Sequence, residues 1–178
     1  MIAKEEFEEA RRQALGYFEK SSIVITDEEK ERIEVADFGL GDLWNTGLEI
    51  LTYLNTDRVC AKELVLFPFQ TCPEHRHPPI DGHPGKEETF RCRYGEVHLF
   101  VEGPAAKNGD IAHPKGVYTV FHEVVLTPGL QYTLSPNIRH WFSAGPDGAV
   151  VSEFSTSSFD EGDIFSDPMI ARIPVVQE

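Results

Sequence analysis

Residues 72–88 read Cys72-Pro73-Glu74-His75-Arg76-His77-Pro78-Pro79-Ile80-Asp81-Gly82-His83-Pro84-Gly85-Lys86-Glu87-Glu88, the densest run of potential ligands in the chain. His75 and His77 stand two apart. On an extended strand, residues i and i+2 project from one face. Two imidazoles aimed into one space do not pack as an apolar core, and a divalent metal satisfies both at about 2.0–2.2 Å. Glu88 follows a Pro/Gly-rich loop at the start of the next strand-like run. Further along, His140 stands after the Pro136-Asn137 turn and is placed to supply a fourth donor.

Outward from this stretch the chain reads as β-structure. Strand-like runs occur at 48–55, 59–66, 89–92, 95–102, 117–126, 131–134, 141–144 and 150–155. Turn signals separate them: Pro104, Asn108-Gly109, Pro114 to Gly116, Pro128-Gly129, Pro136-Asn137 and Gly145-Pro146-Asp147-Gly148. Many short strands at this spacing predict an antiparallel sandwich or barrel. No strand–helix alternation follows residue 48, which argues against a parallel α/β fold. Upstream, Phe7, Ala10, Ala14, Leu15 and Phe18 recur at helical spacing, predicting a helix over the first twenty residues. Thr26 and Glu29 have the form of a capping box, opening a second short helix through Glu34. The expected organisation is one domain: a helical cover at 1–47, a β-barrel at 48–157 and an irregular tail at 158–178.

The whole chain bounds the partners. It has 178 residues, with 16 Lys+Arg against 30 Asp+Glu, a net charge of −14. That sign repels phosphate backbones and anionic lipid, so nucleic acid and membrane surfaces are poor partners. No apolar run approaches the roughly 18–20 residues that span a bilayer. The charged N-terminus has no signal-peptide apolar region. Three cysteines, Cys60, Cys72 and Cys92, are an odd count without CxxC spacing, which fits free thiols in a reducing compartment. The expectation is a cytoplasmic protein with a small-molecule partner.

His75-x-His77, then Glu88 six residues before Gly95, resembles the first cupin motif, and Gly129 through Pro136 to His140 resembles the second. Ten residues separate His77 from Glu88, more than the usual cupin spacing, and Pro136 to His140 is one residue short. In that superfamily two histidines, the glutamate and the later histidine bind one metal inside a jelly-roll barrel. The run 85–97, Gly-Lys-Glu-Glu-Thr-Phe-Arg-Cys-Arg-Tyr-Gly-Glu-Val, with His75-Arg-His77-Pro78 and the later Glu153-Phe-Ser-Thr156, is similar to the D-lyxose isomerase family of cupin sugar isomerases. The resemblance implies a mainly β, single cupin barrel with N-terminal helices. It implies a metal on His75, His77, Glu88 and His140, with Mn²⁺ first and Co²⁺, Fe²⁺, Ni²⁺ or Zn²⁺ as alternatives. It implies catalytic roles for Lys86 and Glu153, and a substrate-binding arginine for which Arg172 is the first available residue after that strand. A homodimer is expected with it.

The chemistry suits these residue types. Aldose–ketose isomerisation moves a proton between C2 and C1 through an enediol(ate), which a Lewis-acidic metal stabilises. A carboxylate facing the carbon skeleton is the natural base, and Glu153 is assigned that role. In the run 150–155, Val151, Glu153 and Ser155 share one face and Val150, Ser152 and Phe154 the other. Lys86 stabilises the oxygen that gains negative charge. The expected substrates are free sugars such as D-lyxose/D-xylulose and D-mannose/D-fructose. The same ligand set also serves two competing readings, a cupin dioxygenase and a non-catalytic sugar- or metal-binding cupin. His83, His98, His113 and His122 read as surface or structural residues, Cys72 and Cys92 as packing residues, and Trp141 and Phe142 as wall or core. The apolar stripe of the first helix reads as a cover, with a dimer contact as the alternative.

Overall fold

The structure, a computed structural model, describes residues 1–105 and 114–177; Asn108-Gly109 and His113 lie outside the described residues. In chain order the elements are α1 (Lys4–Lys20), α2 (Asp27–Glu31), β1 (Glu34–Ala36), β2 (Leu48–Asn55), β3 (Cys60–Leu66), β4 (Thr71–Arg76), β5 (Glu88–Val101), β6 (His122–Leu126), β7 (Gln131–Leu134), β8 (His140–Ser155) and β9 (Ile164–Phe165). A 3-10 turn at Asp160–Gly162 precedes β9. The strands run β1-β2-β3-β8-β4-β9 in one curled sheet, and β5 pairs with β6, β7 and β8. This is the mainly β cupin architecture that the motifs imply.

α1 forms where its apolar stripe predicts it. Ala10, Ala14, Tyr17 and Phe18 are buried, and they pack with Leu51, Val65 and Val150 on the outside of the sheet. The stripe is taken up within the chain. At α2 the Thr26 side chain accepts from the Glu29 N–H at 3.2 Å, and the Glu29 carboxylate accepts from the Thr26 N–H at 2.7 Å, completing the capping box. The helix stops at Glu31 and does not run on to Glu34. Ile33 and Val35 are both buried, on either side of the less buried Glu34. That period of two makes β1, which pairs with β2.

β3 and β8 divide two cores by parity. Leu64, Leu66 and Val151 enter the barrel interior with Phe90, Leu99 and Phe142. Their neighbours Val65 and Val150 face α1. Each fully buried side chain of this size contributes roughly 1.5–3 kcal/mol.

Three expected segments differ in the structure. The runs at 89–92 and 95–102 are one strand, β5, with register shifts at Cys92/Tyr94 and Gly95/Val97. The runs at 141–144 and 150–155 are likewise one strand, β8. Gly95, at φ 68°, lies so close to β8 that a Cβ there would sit 1.9 Å from the Gly148 carbonyl oxygen. Bulges of this kind bend long strands instead of ending them. Only residues from His122 onward in the run 117–126 are strand. The Glu74 carboxylate captures the Thr119 and Val120 N–H groups at 2.6 and 3.0 Å, so that backbone leaves the ladder.

The sheet also extends beyond 48–157. β9 pairs His75 with Phe165. The Ser166 N–H donates to the Glu74 carbonyl at 3.0 Å. The segment after residue 157 is thereby fastened beside the histidine pair.

Candidate active site

β4 and β8 put His75 and His140 directly opposite each other, and His77 follows just past the end of β4. Ring centroids are 4.3 Å apart for His75 and His140, 4.9 Å for His75 and His77, and 5.3 Å for His77 and His140. All three are buried, and each offers a ligand atom within 4.8 Å of the others. Glu88, the first residue of β5, places Oε1 at 3.0 Å from Nε2 of both His77 and His140.

The other ring nitrogens are tied. His75 Nδ1 donates to the Pro73 carbonyl at 2.8 Å, and His140 Nδ1 donates to the Ile138 carbonyl at 3.0 Å. A carbonyl only accepts, so both Nδ1 atoms carry a hydrogen, which leaves Nε2 of each ring as the atom free to bind a metal. His77 Nδ1 contacts the Asp163 carboxylate. Such outer partners orient imidazoles for metal binding. His140 Nε2 is buried without a hydrogen-bond partner among the described residues. It faces the Glu88 carboxylate oxygen at 3.0 Å, an arrangement that a cation held by both resolves. The donor set therefore fits a divalent metal.

A ladder of alternating charge runs from this cluster. Lys86 Nζ lies 2.8 Å from Glu88 Oε2 and 3.0 Å from Glu153 Oε1. Lys62 Nζ lies 4.0 Å from Glu153 Oε1 and 2.8 Å from Asp160 Oδ2. Arg172 pairs with Asp160 at 3.2 Å and with Glu34. Lys62, Lys86, Glu88 and Glu153 are all buried, and buried charges persist only with counter-charges of this kind.

Burial pushes His75 well below the usual histidine range, and the neighbouring His140 and His77 add to it. Burial alone would depress His77, but Glu88 and Asp163 lift it to about 9. For Glu88 burial acts upward, yet Lys86, His77 and His140 hold it well below the carboxylate range. For Lys86 burial acts downward, yet Glu153 and Glu88 keep it well above the usual value, and so charged.

Two cavities meet here. An inner chamber of about 40 Å³ is lined by the histidine pair, Glu88, Glu153, Phe142 and Arg172 among others. An outer cavity of about 210 Å³ shares His77, Lys86 and Asp163 with it and is also lined by Phe159 and His83.

The structure thus brings together His75, His77, Glu88, His140, Lys86 and Glu153, with Arg172 lining the same chamber. Glu153 shares a strand face with Val151, and the structure turns that face to the interior. Lys62, Asp160 and Asp163 were missed. Lys62 carries a legible signal, a lysine on the same strand face as Leu64 and Leu66; Asp160 and Asp163 carry none. Of the other histidines, His98 is buried between Glu123 and Glu96, at 2.8 Å each. His122 contacts the Pro104 carbonyl, and His83 is exposed on the outer cavity. The three cysteines are free and buried. Burial pushes the Cys92 thiol up to about 11, which removes it as a nucleophile.

No family model matches the chain. Curated relatives do. The D-lyxose/D-mannose isomerase of Thermosediminibacter oceani is 60% identical over 181 residues, covering 100% of both chains. The D-lyxose ketol-isomerase of Cohnella laeviribosi is 58% identical, covering 97% of this chain and 96% of its own. Among solved structures, L-ribose isomerase of Cellulomonas parahominis superposes with a TM-score of 0.75 at 18% identity, covering 99% of this chain and 98% of its own. L-ribose isomerase of Acinetobacter sp. DL28 gives 0.72 at 21% identity, covering 88% and 82%. These structures match in fold. The identity to the curated relatives runs the full length of the chain, which therefore belongs to the D-lyxose isomerase family of sugar ketol-isomerases.

Proposed function

We propose that this enzyme interconverts D-lyxose with D-xylulose and D-mannose with D-fructose, using one divalent ion, Mn²⁺, held by His75, His77, His140 and Glu88. The observation that carries the reading is Glu153, buried beside the imidazole cluster with Lys86 between it and Glu88. The name of the relative at 60% identity supports the two aldoses. When bound, a divalent ion supplies Lewis-acid polarisation of the sugar's C1 and C2 oxygens.

Glu153 takes the C2 proton of the aldose and returns it to C1, while the O2 hydroxyl proton passes to O1, so that C1 becomes the alcohol and C2 the carbonyl. The proton held on one carboxylate oxygen in between stays clear of bulk water, because Glu153 is 4% exposed. Lys86, charged and 3.0 Å from Glu153 Oε1, orients the base and donates toward the oxygen that gains charge. Asp163 fixes the His77 ring from behind.

The test is conversion of a panel of pentoses and hexoses by metal-stripped protein, resupplied with one divalent ion at a time. Aldose–ketose interconversion restored by Mn²⁺ supports the reading. Sugar binding without conversion under every ion favours the non-catalytic binding module, and oxygen consumption favours the dioxygenase.

A further inference from the structure

The inner chamber, at about 40 Å³, has room for little more than one water-sized group. A five- or six-carbon sugar reacting at C1 and C2 beside Glu153 must extend elsewhere. The outer cavity borders the chamber, and His77, Lys86 and Asp163 line both. D-lyxose and D-mannose share their hydroxyl arrangement at C2, C3 and C4, and differ where mannose carries a hydroxymethyl on C5. Resting on the proposed isomerase reading, we infer that the outer cavity holds the distal end of the sugar, and that Phe159 and His83 discriminate hexose from pentose.

The wall these residues form is built to read shape. Their rings stand 6.3 Å apart at 39°, on opposite segments of the chain. His83 closes a tight turn in which Ile80 and His83 exchange both backbone hydrogen bonds, at 3.1 and 2.8 Å. Asp81 and Gly82 both have positive φ, at 48° and 83°, the geometry of a stiff two-residue hairpin. Ile80 Cδ1 lies 2.4 Å from where a Cβ on Gly162 would be, so this turn is seated against the 3-10 turn that follows Phe159. The paired rings are therefore held in place on the wall of the outer cavity. Phe159 lines the outer cavity and is 54% exposed, so its ring is open to a molecule in that cavity. A pentose leaves this end of the cavity to water, whereas the C5–C6 edge of a hexose contacts the Phe159 ring.

Two variants test this without touching the catalytic groups. Phe159→Ala removes the contact and His83→Trp adds bulk to the same cavity wall; both positions are exposed, so the fold tolerates them. The readouts are kcat/KM for D-mannose and D-lyxose, with metal content measured in the same preparation. Phe159→Ala should lower kcat/KM for mannose about 5-fold, and His83→Trp should lower it by more than about 10-fold. Lyxose should stay within about 2-fold in both, with metal content unchanged. Parallel changes for both sugars, or no change for either, overturn the assignment while the parent's turnover leaves the isomerase reading intact. A parent that converts neither sugar overturns that reading first, and this inference with it.

Discussion

Glu153 and a glutamine at the same site differ in one property that matters, the ability to accept a proton. Glu153→Gln should keep metal content near that of the parent and lower turnover by roughly 10²–10⁴-fold. Metal analysis and aldose-to-ketose conversion on one preparation check it, and unchanged turnover removes Glu153 as the base. Asp163 acts one step further out. It holds His77 Nδ1, so Asp163→Asn should weaken metal affinity by about 10–100-fold. A metal titration reads that directly, and wild-type affinity would make the contact incidental. At this scale the cluster of His75, His77, Glu88 and His140 was readable because those residues carry spacing. Asp163 carries none; only the backbone pairing of β4 with β9 brings it to His77.

At the scale of elements, β5 and β8 carry the barrel. Alternation marks where each half of these strands lies, but not that the halves are continuous. Gly95 marks the junction. Its φ of 68° suits glycine, and a side chain there would collide with the Gly148 carbonyl at 1.9 Å. Gly95→Ala should therefore destabilise the protein by about 2 kcal/mol or more, read as a fall in Tm or in denaturant midpoint. An unchanged midpoint would mean that the two strands part at this point without cost. The capping box offers a contrast. Thr26→Ala should cost about 1 kcal/mol and leave turnover untouched, because α2 lies on the surface away from the chamber.

For the whole molecule, stability should depend on pH through Glu63, on the outer parity of β3. Burial raises its pKa to about 7, against the hydrogen bonds from Ser152 and the nearby Arg93. Its protonated form is the one the fold favours, so its contribution is full below about pH 4.5 and is lost as pH rises through about 7. Glu63→Gln should raise Tm relative to the parent at pH 8 and leave it nearly unchanged at pH 5. Equal shifts at both values would remove Glu63 as the titrating group. The sequence by itself determined the mainly β architecture, the α1 stripe, the α2 cap and the spacing of the four candidate ligand residues. Each of these is a local pattern, set by periodicity along a few residues. Only the tertiary structure decided that β1 and β9 join the sheet, that Glu74 pulls 119–120 out of a strand, and that Lys62, Asp160, Asp163 and Arg172 complete the chamber. Those residues meet across up to 138 positions of chain, as Arg172 and Glu34 do. What selects them is the need of each buried charge for a counter-charge, a condition that exists only once the barrel has closed around it.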